Sequence, residues 1–85
     1  MKNDEIRMSI LRALSEIYDR EGPDHTAFLD LIAERMGIDR KTLDDNAIFL
    51  EERGFVNLRP GAVIELTSKG YDLVNPDSPF ASNAV

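Results

Sequence analysis

Gly37, Ile38 and Asp39 are the residues that most restrict how this chain can fold. They separate two stretches of helical hydrophobic spacing. Upstream, Phe28, Leu29, Ile32, Ala33 and Met36 share one face of a helix expected from about Ala27 to Met36, which Asp24 or Thr26 can cap. Downstream, Leu43, Ala47 and Leu50 form the inner stripe of another helix. Gly37 stands where a left-handed residue ends a helix, and Ile38 is the apolar anchor that follows such an ending. Asp39 opens the next helix as its cap. So short a connection makes the two helices pack against each other across a tight turn.

A longer amphipathic helix precedes this pair. Ile6, Ile10, Leu14 and Ile17 form its stripe, widened by Leu11, Ala13 and Tyr18, while Ser9, Arg12, Ser15, Glu16, Asp19 and Arg20 fall opposite. Asn3 can cap it, Asp4 and Glu5 suit the positive end of its dipole, and Glu16 can pair with Arg20 at i, i+4. Gly22-Pro23 ends it. Gly54 stops the helix that Asp39 opens, and the period then changes from 3.6 to 2. Phe55, Val56, Asn57 and Leu58 read as a strand, and Val63, Ile64, Glu65 and Leu66 as its return. Pro60-Gly61 suits the centre of a type II turn between them. Thr67 can cap a short last helix to about Val74. Residues 75–85, rich in Pro, Ser and Asn, are expected to form a mobile tail, leaving 1–74 as the domain.

Eighty-five residues allow one core. With no Cys, that core has neither disulfides nor a thiolate metal site, and His25 is the sole histidine, expected in a solvated turn. Asp30 and Glu34 share a helix face without a calcium-type loop, and Asp44-Asp45 and Glu51-Glu52 splay by about 100° around their helix. No phosphate-binding glycine loop and no nucleophile–base set is present, so no enzymatic activity, metal, cofactor or small-molecule substrate is expected. No apolar run approaches the about 18 residues of a membrane-spanning helix, and the start lacks a signal-peptide core, which together suggest a cytoplasmic protein. The initial Met and the tail fit a short intact product.

The order of elements resembles a winged helix-turn-helix domain: α+β and mainly helical, with three helices, a two-stranded hairpin wing and a short C-terminal helix. The resemblance spans residues 4–74. Its marks are Ala33-Glu34-Arg35-Met36-Gly37-Ile38-Asp39 for the turn, Leu50-Glu51-Glu52-Arg53-Gly54-Phe55-Val56 for the junction to the wing, and Ile64-Glu65-Leu66-Thr67-Ser68-Lys69-Gly70 for the exit from it. Such domains mostly bind double-stranded DNA in transcription control, and a minority bind proteins. The resemblance makes residues 40–53 the recognition helix, laid in the major groove, and residues 55–66 the wing.

The chemistry of that helix divides. Arg40, Lys41, Thr42 and Asp45, with Arg59 at the wing tip, are the candidate DNA contacts. Arg40 and Lys41 oppose the helix dipole in its first turn, a locally unfavourable choice that suits a phosphate ligand. Aspartate accepts from cytosine, a rarer contact than arginine to guanine. Against this, residues 39–53 hold three basic and five acidic side chains, and the whole chain carries 10 Lys+Arg against 16 Asp+Glu, a net charge of −6. That balance disfavours sequence-independent binding, which depends on cations releasing counterions from phosphates. The alternative is a protein-contact module, with Asp44, Ile48, Phe49 and Glu52 meeting a basic partner. Met8, Tyr18, Leu31 and Phe80 can extend such a surface, including a homodimer contact.

Overall fold

The computed structural model of the chain describes residues 2–22 and 26–76. Helix α1 runs Asn3–Glu21, strand β1 Ala27–Phe28, helix α2 Leu29–Met36, helix α3 Arg40–Glu52, strands β2 Val56–Arg59 and β3 Val63–Leu66, and helix α4 Ser68–Val74. The hydrophobic stripes meet in one core. Ile10 and Leu11 of α1, Ile32 of α2, Leu43 of α3, Val56 of β2 and Ile64 of β3 are its most completely buried large side chains. Each contributes about 1.5–3 kcal/mol by leaving water.

Both ends of the central turn form for the expected reasons. Gly37 is left-handed (φ 68°, ψ 32°), and the Gly37 and Ile38 amides donate back to the Glu34 and Ala33 carbonyls at 3.2 and 3.1 Å. The Asp39 side chain caps α3 by accepting from the Thr42 amide. Gly54 (φ 79°) ends α3 in the same way, its amide and that of Phe55 returning to Glu51 and Leu50 at 2.9 Å each. Thr67 caps α4 through Gly70 N–H at 3.1 Å.

The sheet is larger than a hairpin. Its order is β1-β3-β2, all antiparallel, with Phe28 opposite Val63 and Ala27 opposite Ile64. The α2 helix therefore begins two residues later than expected, and Phe28 is 42% exposed on the sheet rather than on the inner face of α2. The cap position of α2 falls on Phe28, which makes no side-chain bond there, so Thr26 is not the cap, and Asp24 lies outside the described residues. The Leu29 amide of α2 donates instead to the Ala62 carbonyl in the wing turn, at 2.8 Å. In that turn Gly61 takes the positive φ (86°) a type II centre requires, and Ala62 follows at φ 59°.

Other local expectations fail because distant partners compete. Lys2, not Asn3, occupies the cap position of α1 and makes no side-chain bond there. Glu16 pairs with Arg35 of α2, while Arg20 pairs with Glu21 at 3.5 Å. Ser15, assigned to the polar side, is buried, and its hydroxyl accepts from Asn75 Nδ2 at 2.7 Å, so the chain is tied to α1 as far as Asn75. His25 and residues 77–85 lie outside the described residues.

Candidate nucleic-acid interface

Helix α3 buries Leu43, Ala47 and Leu50 and turns Lys41, Asp45, Ile48 and Glu52 outward. The outward face follows from the sequence period: 41, 45, 48 and 52 are the i, i+4, i+7, i+11 row opposite the core stripe. The wing tip lies at the end of β2, where Arg59 faces Val63 across the ladder. A cornered helix pair with one exposed face is thus assembled as expected, whereas β2 runs one residue later than the expected 55–58 and takes in Arg59, leaving residues 60–62 as the turn.

The charges on this surface are already matched. Arg40 donates from Nε to Asp44 Oδ1 at 2.7 Å and from Nη1 to Asp30 Oδ1 at 2.5 Å. Lys41 Nζ donates to Asp45 Oδ2 at 3.0 Å. Arg59 Nε donates to Glu65 Oε1 at 2.7 Å. The carboxylates push all three basic groups above their ordinary pKa, Asp44 then Asp30 acting on Arg40, Asp45 on Lys41 and Glu65 on Arg59. Thr42 spends its hydroxyl on the cap, donating to Asp39 Oδ1 at 2.6 Å. That bond, with the one from the Thr42 amide, holds the Asp39 carboxyl below its ordinary range. Arg40, Lys41 and Arg59 therefore do not merge into an unopposed positive patch. The two helical pairs were legible, since 40/44 and 41/45 are i, i+4 neighbours, although a cation N-terminal to its carboxylate is the weaker orientation.

The four residues assigned to a protein contact separate. Ile48 is 47% exposed, and Asp44 and Glu52 reach the surface beside it. Among the described residues Glu52 has no ion-pair partner, whereas Asp44 holds Arg40. Phe49 is not a free anchor. It packs on the core, with the Arg7 guanidinium carbon 3.4 Å and the Arg53 guanidinium carbon 3.8 Å from its ring centroid. Two groups that close to one centroid must take opposite faces of the ring.

Sequence reasoning missed Arg7, Asn46 and Arg53. Asn46 is buried, accepts from Arg7 Nε at 3.0 Å and donates to the Thr42 carbonyl at 2.9 Å. Its place three residues after Leu43 was a signal for burial, but nothing local announces Arg7, 39 residues away. The Arg7–Asn46 bond, with Arg7 stacked on Phe49, ties α3 to α1. Lys69 Nζ, donating to the Arg53 carbonyl at 2.8 Å, closes the far end of α3 with a charge that suits its dipole.

Taken together, the turn between α2 and α3, the presented third helix and the β2–β3 hairpin define a winged helix-turn-helix domain. Among solved structures, the fold is similar to that of a MarR/EmrR family transcriptional regulator from Acinetobacter sp. ADP1, with a TM-score of 0.66 and 22% sequence identity over 92% of this chain and 52% of that one. The chain thus spans about half the length of that regulator. No protein-family model and no curated protein matches the sequence. Among the described residues no helix is long and apolar enough to cross a membrane, and no cluster of His, Asp or Glu could hold a metal ion.

Proposed function

We propose that the chain is a non-enzymatic DNA-binding module of the winged-helix type, acting in transcription control or another genome-associated role. The observation that carries this reading is the presentation of α3: one face buried, the other uncovered beside the wing, with Arg40, Lys41 and Arg59 at its margins. Arg40 and Lys41 contact backbone phosphates near the start of α3, and Arg59 contacts the backbone or minor groove. Asp45, once released from Lys41, meets a base edge and so contributes selectivity rather than affinity, and Thr42 supports the turn. With a net charge of −6 a single domain binds weakly, so useful affinity comes from two copies on one duplex. Fluorescence anisotropy with a labelled duplex tests this. Arg40→Ala and Lys41→Ala each weaken binding and flatten the salt slope, by at most about 0.9. An affinity no better than about 100 μM at low salt, weaker than ordinary non-specific binding, rejects the reading.

A second reading, contact with a basic protein surface through α3, is favoured by the exposed Ile48 among Asp44, Asp45 and Glu52. It differs in one measurable respect: Ile48→Ser abolishes the protein complex, whereas a phosphate-dominated duplex affinity is insensitive to it.

A further inference from the structure

The carboxylates around the first turn of α3 engage Nε and Nη1 of Arg40 and one donor of Lys41, groups that a DNA phosphate would also use. Nε of Arg40 has a single hydrogen, and Asp44 of the same helix accepts it. That closes the side-on fork with which an arginine grips a phosphate. The end-on fork shares Nη1 with Asp30, which reaches across from the first turn of α2. One carboxylate from each helix of the turn therefore holds Arg40. Asp45 holds Lys41. Asp39, which could have served, is committed to the cap instead.

We infer that Asp30, Asp44 and Asp45 set the strength and the salt response of duplex binding, because they neutralise Arg40 and Lys41 and compete with phosphate for the best-placed donors of both. This inference rests on the DNA-binding reading above. Two consequences follow from the competition. The first is a weaker affinity, since each exposed ion pair that opens lowers the binding constant by up to about fivefold. The second concerns salt. A cation meeting phosphate releases about 0.9 counterion from the duplex, but the carboxylate left behind recovers part of that count from solution. Wild-type binding is then both weak and unusually flat in its salt dependence for the number of cations involved.

The test compares wild type with the triple variant Asp30→Asn, Asp44→Asn, Asp45→Asn on one labelled duplex from about 20 to 200 mM salt, a span over which phosphate contacts register. Asparagine keeps the shape of each side chain, and thermal melting checks that the fold is intact. Removing any negative charge near a polyanion raises affinity, so Glu52→Gln, on the same helix and without a cation partner among the described residues, sets that baseline. The triple variant should bind about 10- to 50-fold more tightly with a salt slope steeper by a measurable part of the about 1.8 that two cations can contribute, and Glu52→Gln about twofold more tightly with its slope unchanged. A gain per removed charge equal to that of Glu52→Gln, with no change of slope, overturns the inference while leaving the DNA-binding reading in place. If wild type binds the duplex no better than about 100 μM at the lowest salt, the DNA-binding reading itself falls, and the inference falls with it.

Discussion

Replacing Gly70 by alanine sets two physical effects against each other, and their magnitudes decide the outcome. Gly70 is buried in α4, directly over the chain where it leaves α3 for the wing. Helix propensity alone favours the substitution by about 1 kcal/mol, since alanine loses less backbone freedom than glycine. The packing opposes it. An added Cβ would sit inside contact distance of the Phe55 carbonyl oxygen, 3.1 Å from its carbonyl carbon and 2.8 Å from Leu66 Cδ1. The first two obstacles are backbone and cannot rotate away. Forcing them apart costs about 1–3 kcal/mol as overpacking. It also strains the bonds that hold α4 to this corner, from the Thr67 amide to Phe55 O at 3.1 Å and from the Thr67 hydroxyl to Gly54 O at 2.6 Å, each worth about 1 kcal/mol. The net expectation is a loss of about 2–3 kcal/mol. For a domain of this size that is a fall in Tm of about 10–20 °C, read by circular dichroism during thermal and urea unfolding. The same loss should persist in a Leu66→Ala background, because the carbonyl obstacle remains. A Gly70→Ala protein as stable as wild type, or more stable, refutes the packing argument.

Two further predictions follow from the turns and caps. Ala62→Gly should stabilise the fold by about 0.5–1 kcal/mol in urea titrations, because Ala62 sits at φ 59°, where a Cβ is unfavourable; an unchanged or lower midpoint contradicts this. The Asp39 carboxyl is held below its ordinary value of 3.8, chiefly by the Thr42 side-chain hydrogen bond and then by the Thr42 amide. Its stabilising effect is therefore complete above that value and is lost as the pH falls through the lower, folded one. Asp39→Asn, which still caps but does not titrate there, should unfold less steeply with acid, as followed by helical ellipticity between about pH 5 and 2.

What the sequence revealed was whatever is written in neighbouring residues. Gly37, Asp39, Gly54 and Thr67 act through backbone partners a few positions away, so turn, caps and helix order could be deduced. Strand β1 could not. Ala27 and Phe28 satisfy a helical stripe as well as a strand, and the deciding partners, Ile64 and Val63, come more than thirty positions later. The same limit separates the parts of the candidate interface. The exposed face of α3 follows from its period, and the Arg40–Asp44 and Lys41–Asp45 pairs follow from their spacing. The covering of Phe49 by Arg7, and the reach of Asp30 to Arg40, depend on how α1 and α2 lie across α3, which no local pattern encodes, whereas Arg53, four residues after Phe49, stood within reach of the spacing argument.

The short strand β1 has a mechanical result. A hairpin attached only at its base can swing, but this one is clasped on its outer side by the start of α2, through Phe28 beside Val63 and the Leu29 amide on the Ala62 carbonyl. On its inner side the Glu51 carboxylate accepts from the Leu58 amide at 2.7 Å. The spacing between the backbone at Arg59 and the third helix is thus a gauge built into the sheet rather than an adjustable grip.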